Sequence, residues 1–395
     1  MTSETQKIDS RAAVEASRVL AWLEEQESAM IDMLRTLVNI DSGSYDKPGV
    51  DAVGAEITRF LDAYGIGHRT QASDTVGDVI RAEVGPGDGR THVLLMGHRD
   101  TVFPKGEAAR RPFRIENGIA YGPGVADMKS GLVINSFVMA ALAKFNAATR
   151  PVVALYTGDE EIASPFSRPL IEAEARGAHA VFNAEPGRAN GNVVTGRRGC
   201  VFAKLDIVGR AAHSGVNYAD GRSAIEELSQ KIIALHKLTD IDAGITLNVG
   251  LASGGTAVNT VAPHAKAEFD LRYVDPGLRD GLLERVARIV DTQYVPDTSA
   301  TFEVTGEFLP LFKTPDSERL LEHYAAGASE CGFHVDGEFT GGCADSGFAA
   351  SMGVPVLCAT GPVGARVHSP DEYTEVATIV PRAKALALAI LTLDD

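Results

Sequence analysis

The chain has 395 residues, 45% hydrophobic and 23% charged, and its 37 Lys and Arg face 53 Asp and Glu for a formal charge of −16. That balance excludes a disordered, fibrous or coiled-coil chain, and the length suits two or three domains with a large core. A surface this acidic argues against nucleic acid as a partner, because phosphate backbones select basic surfaces, while a few local arginines can still receive an anionic small substrate.

No stretch reaches the roughly 18 to 20 consecutive apolar residues of a membrane helix, so no membrane partner is expected. The start, Met1 to Lys7, is polar and lacks a signal-type apolar run. Cys200, Cys331, Cys343 and Cys358 form no Cys-x-x-Cys pair, which reads as free thiols in a cytoplasmic protein.

The first clear element in chain order is a helix carrying Met30, Met33, Leu34, Leu37 and Val38, stopped by Asp41-Ser42-Gly43-Ser44. A second helix is predicted over Val50–Tyr64. Buried strands are predicted at Val93–Met96 and Val152–Tyr156, with a helix over Leu132–Leu142 between them. This order predicts an α/β domain with a largely parallel sheet flanked by helices. The character changes near Thr195–Gly199. The pattern then predicts a strand at Val201–Val208, a helix at Ser223–Leu238, strands at Thr246–Leu251 and Ala265–Val274, a helix at Leu278–Asp291 and a strand at Thr301–Gly306. That βαββαβ order is a ferredoxin-like unit, expected as an insertion over 196–308 in a domain made of 1–195 and 309–395. The α/β pattern resumes with a helix near Ser317–Glu330, a strand at Val354–Ala359 and a helix from about Pro381 to Leu393.

Acids and histidines gather where strands end. His98 and Asp100 follow the first strand, Asp127 precedes a helix, and Asp159-Glu160-Glu161 follows the next strand. Glu185 follows Ala180-Val181-Phe182, and His368 lies in a late loop. The C-terminal ends of strands in an open α/β sheet converge on one crevice, and this many carboxylates cost too much to gather there without a cation. A mixed His and carboxylate set suits zinc, and two metals sharing a bridging Asp is the natural arrangement. Asp100 is placed to take the other ring N–H of His98. Of Glu160 and Glu161, one can bind metal while the other handles a proton. Gly124-x-x-x-x-Lys129-Ser130 lacks the second glycine of a phosphate loop, and no Gly-x-Ser-x-Gly elbow or His-Glu-x-x-His helix is present.

Together these motifs resemble the co-catalytic zinc amidohydrolases that include glutamate carboxypeptidase, acetylornithine deacetylase, succinyl-diaminopimelate desuccinylase and aminoacylase. The stretches Pro112-Phe113-Arg114, Tyr121 to Asp127, Ser167-Arg168 and Thr340-Gly341-Gly342 are most similar to the bacterial glutamate carboxypeptidase branch. The resemblance implies two zinc ions, with cobalt or manganese as substitutes. It implies His98 and Glu185 at one ion, Glu161 and His368 at the other, Asp127 as the bridge, Glu160 as general base and Asp100 as the orienter of His98. It also implies a homodimer formed through the inserted domain. There His213, in Gly209-Arg210-Ala211-Ala212-His213-Ser214-Gly215, would stabilise the oxyanion, and Asn259 and Arg272 would hold a substrate carboxylate. The expected reaction is cleavage of an amide next to a free carboxylate in a peptide or N-acyl amino acid. A carboxypeptidase is the first reading, an N-acyl amino acid deacylase the second and a non-catalytic carboxylate-binding protein the third.

The chain departs from that pattern at Arg99, which would line the cleft or point outward, and at Cys343-Ala344. Arg188 is the only basic residue of Pro186–Asn192, and Leu309-Pro310-Leu311-Phe312 is apolar. Both segments help hold glutamate in glutamate-specific members, so a hydrophobic amino acid stays open as the released product.

Overall fold

The computed structural model describes residues 4–394. The chain divides into two compact units, one made of residues 1–196, 313–340 and 348–395, the other of 197–312 and 341–347.

The first unit is built on an eight-stranded sheet. Its centre is four parallel strands in the order Val152–Thr157, His92–His98, Ala178–Asn183 and Val356–Cys358. Each is buried almost end to end, as a strand covered on both faces must be, so each appears in the sequence as an unbroken apolar run. Antiparallel strands flank them, Val79–Val84 and Gly67–Gln71 on one side and Val193–Arg197 on the other, beyond which Gly337–Thr340 forms the edge. The helix Ser130–Phe145 is buried from Ser130 through Leu142 and packs among the helices Glu27–Val38, Lys47–Ala63 and Ile379–Thr392. Its start must approach the strand end that carries Glu185. A Cβ at Gly131 would sit 2.0 Å from the Ala184 carbonyl oxygen, so glycine is required there.

In the second unit, four antiparallel strands pair in the order Thr246–Gly254, His264–Tyr273, Gly199–Val208, Ser299–Phe308. With the helices Ala224–His236 and Arg279–Asp291 between them in sequence, this is the βαββαβ arrangement. Val201, Ala203, Leu205 and Ile207 point inward at the strand period and meet Leu228, Leu235, Leu282 and Val286. Residues between them face outward, so one face of this sheet is covered by helices and the other is wet. Inside it, the Lys231 ammonium lies 2.8 Å from the Glu227 carboxylate, both almost fully buried. Glu227 also accepts the N–H groups of Tyr294 and Val295, and Lys231 donates to the carbonyls of Ile289, Val290 and Thr292. Both buried charges are thereby satisfied.

Candidate active site

The three parallel strands His92–His98, Val152–Thr157 and Ala178–Asn183 end on one edge of the sheet, which brings His98, Glu160, Glu161 and Glu185 together. Asp127 enters from the turn before the buried helix, and His368 from the loop after Gly364–Ala365.

Asp127 sits at the centre. Its Oδ1 lies 3.0 Å from Nε2 of His98, and its Oδ2 lies 3.3 Å from Nε2 of His368. A Glu185 oxygen is 3.7 Å from His98 Nε2, and a Glu161 oxygen is 3.2 Å from His368 Nε2. The set therefore splits into two donor clusters, His98 with Glu185 and His368 with Glu161, each meeting a different oxygen of Asp127. Ligand atoms of His98, Asp127 and Glu161 lie within 4.8 Å of one another. The other oxygen of Glu161, Oε1, is buried without a hydrogen-bond partner among the described residues, an arrangement a cation would relieve. Two imidazoles and three carboxylates around a shared aspartate fit a pair of divalent cations. Glu160 Oε2 lies 4.0 Å from His98 Nε2, so the adjacent glutamates turn toward different histidines.

Electrostatics reflect this crowding. Burial disfavours charge on His98, but Asp100 and Asp127 outweigh it and hold its pKa well above the ordinary imidazole value. Burial would likewise raise Asp127, yet His368 and His98 keep it well below the usual carboxylate range. Burial, then the Asp127 charge, pushes Glu161 up to about 7, and hydrogen bonds to Asp127 and Glu161 raise His368 to about 10.

Asp100 reaches His98 mainly through its backbone. The ring Nδ1 lies 3.0 Å from the Asp100 carbonyl oxygen and 3.5 Å from its carboxylate. The fully buried carboxylate instead accepts the N–H groups of Glu160 and Glu161 and the Ser44 hydroxyl. It thus ties the His98 strand to the turn that carries the two glutamates.

Arg99 differs from expectation, because it neither lines a cleft nor points outward. It is fully buried, and it donates to the carbonyls of Val50 and Thr157. Gly54 makes room for it, since a Cβ there would lie 2.1 Å from the guanidinium.

Two further acids shape the site. Glu372 is fully buried and accepts the N–H groups of Gly124, Ala126 and Asp127, which fixes the loop under the central aspartate. Nothing in Asp371-Glu372-Tyr373 marks it apart from an acid close to His368. Asp159, also fully buried, accepts from the backbones of Phe166 and Ser167 and from the Ser167 hydroxyl, closing the turn that follows the paired glutamates.

Within the second unit, His213 and Asn259 are exposed neighbours. The backbone of His213 pairs antiparallel with that of Thr260, and the Ser214 N–H donates to the Asn259 carbonyl. The His213 Nδ1 accepts the Gly215 N–H. Arg272 lies apart from them, on the strand His264–Tyr273, paired with Asp270 and donating to the Gly341 carbonyl at 2.8 Å.

A profile of peptidase family M20/M25/M40 matches residues 94–392. The chain belongs to this family. M20 relatives include carboxypeptidase G2 of Pseudomonas sp. (strain RS-16), 30% identical over 93% of this chain and 90% of that protein. They also include the succinyl-diaminopimelate desuccinylase of Paraburkholderia xenovorans (strain LB400), 31% identical over 81% of this chain and 88% of that one. Among solved structures, the M20 metallo-carboxypeptidase Sso-CP2 of Sulfolobus solfataricus superposes with a TM-score of 0.74 at 17% identity, covering 92% of this chain and 98% of that one. The M20 assignment makes the protein a metal-dependent hydrolase of the peptidase and amidohydrolase type.

Proposed function

We propose that the protein is a dizinc exopeptidase that releases a C-terminal amino acid by cleaving the amide next to a free carboxylate. The observation that carries this reading is the split of Asp127, one oxygen toward His98 and the other toward His368. His98, Glu185 and Asp127 would hold one ion, and His368, Glu161 and Asp127 the other. Bound zinc supplies a Lewis acid that polarises the amide carbonyl and acidifies water. Glu160 takes the proton of the attacking water and returns it to the departing amine. Asp100 and Glu372 keep the donors in place. Arg272 grips the free carboxylate with parallel hydrogen bonds, Asn259 assists it, and His213 donates to the oxyanion.

A groove of about 640 Å³ beside Glu161, lined by Tyr45, Val102, Phe103, Pro104 and Ile162, suits an apolar acyl group. The edge strand Thr246–Gly254 leaves Leu251 64% exposed, which supports a homodimer formed through the second unit. The four thiols, none joined in a disulfide among the described residues, support a cytoplasmic location.

One observation favours a second reading, an N-acyl amino acid deacylase acting on an uncharged side chain. Arg188 is held by Glu338 at 2.9 Å, so its guanidinium is already neutralised and offers little to a glutamate side chain.

The test is hydrolysis of a panel of N-acyl amino acids and dipeptides, before and after chelation and again with zinc restored. Release of an amino acid that stops on chelation and returns with zinc supports the reading. N-acyl-glutamate cleaved faster than N-acyl-leucine or N-acyl-phenylalanine selects the carboxypeptidase, and the reverse order selects the deacylase. Turnover that survives chelation refutes the metal mechanism.

A further inference from the structure

Two of the four thiols meet at a place the proposed reaction does not use. Cys200 is buried near the start of the strand Gly199–Val208, in register with Arg272 on one neighbouring strand and Phe308 on the other. Cys343 is half-buried in the segment Gly341–Gly347, which belongs to the same unit. That segment is pinned over the strand end by two arginines. Arg272 donates to the Gly341 carbonyl at 2.8 Å, and Arg197 donates to the Cys343 carbonyl at 3.1 Å. Cys200, opposite Arg272, and Cys343, in the segment Arg272 and Arg197 hold, are thereby brought close enough for their thiols to interact.

We propose that Cys200 and Cys343 form a modification site, a dithiol that a hydroperoxide converts to an intramolecular disulfide, weakening the hold of Arg272 on a substrate carboxylate. Partial exposure lets a small peroxide reach Cys343, while Cys200 waits behind it as the resolving thiol. The Cys200 hydrogen bond, together with Arg272 and Arg197, outweighs burial and sets Cys343 below the ordinary thiol pKa, whereas the same bond and burial push Cys200 up. The more exposed sulfur is also the one a peroxide meets first.

The chemistry balances in two steps. The Cys343 thiolate attacks a peroxide oxygen, the O–O bond breaks, and a sulfenic acid forms while hydroxide or alkoxide departs. Sulfur is oxidised and the peroxide reduced by two electrons. The departing anion takes the Cys200 proton. The Cys200 thiolate then attacks the sulfenic sulfur, so that an S–S bond forms, the S–O bond breaks and hydroxide leaves. Drawing the sulfurs from hydrogen-bond to covalent distance shifts the Gly341–Cys343 backbone on which Arg272 is braced.

The experiment titrates the whole protein, C200S and C343S with hydrogen peroxide, followed by thiol counting, peptide mass mapping and kinetics. The wild type should lose two thiols and the mass of two hydrogens. It should yield a Cys200–Cys343 crosslinked peptide and revert with dithiothreitol. C200S should form no crosslink and should instead take a dimedone adduct at Cys343. The oxidised wild type should show a KM raised roughly tenfold, the scale of losing one charge-assisted hydrogen bond. The KM readout rests on the proposed reaction, whereas the crosslink and the adduct do not depend on turnover. Oxidation of half-buried Cys331 while Cys200 and Cys343 stay reduced overturns the proposal, as does irreversible oxidation of Cys343 with Cys200 still free. A crosslink that forms with KM unchanged overturns its link to Arg272.

Discussion

The two units treat their polar residues in opposite ways. In the first, His98, Asp100, Glu160 and Glu185 are buried, and their geometry is fixed by further buried groups, among them Ser44 and Glu372. In the second, His213 and Asn259 are exposed on adjoining loops, and Arg272 is half-buried. Burying charge is costly, so it is found where partners already exist and a fixed geometry lowers a barrier. Groups that must admit and release a substrate need less restraint. His368 belongs to the first set by its contacts but resembles the second in being about half exposed, which leaves its end of the cluster the more accessible.

The sharpest way to break this comparison is at Glu160. Glu160→Gln should leave two metals bound and lower kcat about 10³-fold, the scale of a lost general base. Metal analysis alongside kinetics checks it, and near-normal turnover would remove Glu160 from the mechanism.

The next largest effect concerns stability and shows that the second unit also contains a demanding buried site. Glu227→Ala strands the Lys231 ammonium and should cost about 3 kcal/mol in chemical denaturation. Burial would raise the Glu227 carboxyl, but Lys231 outweighs it and holds the folded-state pKa below the ordinary value. The pair's contribution is therefore complete above about pH 4.3 and fades as pH falls through the lower folded-state value. The variant should lose that part of the acid dependence.

Arg272→Ala should raise KM roughly tenfold or more and leave kcat nearly unchanged, because a carboxylate grip is shared by ground and transition states. A fall in kcat alone would place Arg272 elsewhere in the reaction. The smallest effect is expected at Glu372. Glu372→Gln keeps the acceptor oxygen and size but loses the charge opposite three N–H groups, so metal affinity should weaken about tenfold, measured by competition with a chelator. Unchanged affinity would show that the Asp127 loop holds itself.

How much of this is legible in sequence follows from where each signal lies. The central strands and the acid-bearing turns after them stand out because a doubly covered strand must be apolar throughout and its end must then turn abruptly polar. The ferredoxin-like unit is legible through its strict alternation, as in Val201 to Ile207. The strand Gly67–Gln71 is exposed along its whole length and reads Gly-His-Arg-Thr-Gln, so no periodicity could reveal it. The helix Glu4–Glu24 is mostly polar, with an apolar stripe that includes buried Val19 and Leu23, too sparse to stand out. Glu372, Arg99 and the Cys200–Cys343 pairing are set by long-range packing, and their immediate neighbours in sequence carry no trace of it.

The discontinuity of the first unit has a consequence for the order of events during synthesis. The second unit is almost one unbroken stretch, and its own core can close while the chain is still being made. The cluster around Asp127 cannot, because His368 and Glu372 emerge long after His98, Asp127 and Glu185. The strand Val356–Cys358, which pairs with Ala178–Asn183 inside the large sheet, is also late. Until then the Asp127 loop lacks the carboxylate that gathers its N–H groups. A half-made chain thus lacks part of the cluster, which closes only after its last strand and loop have been made.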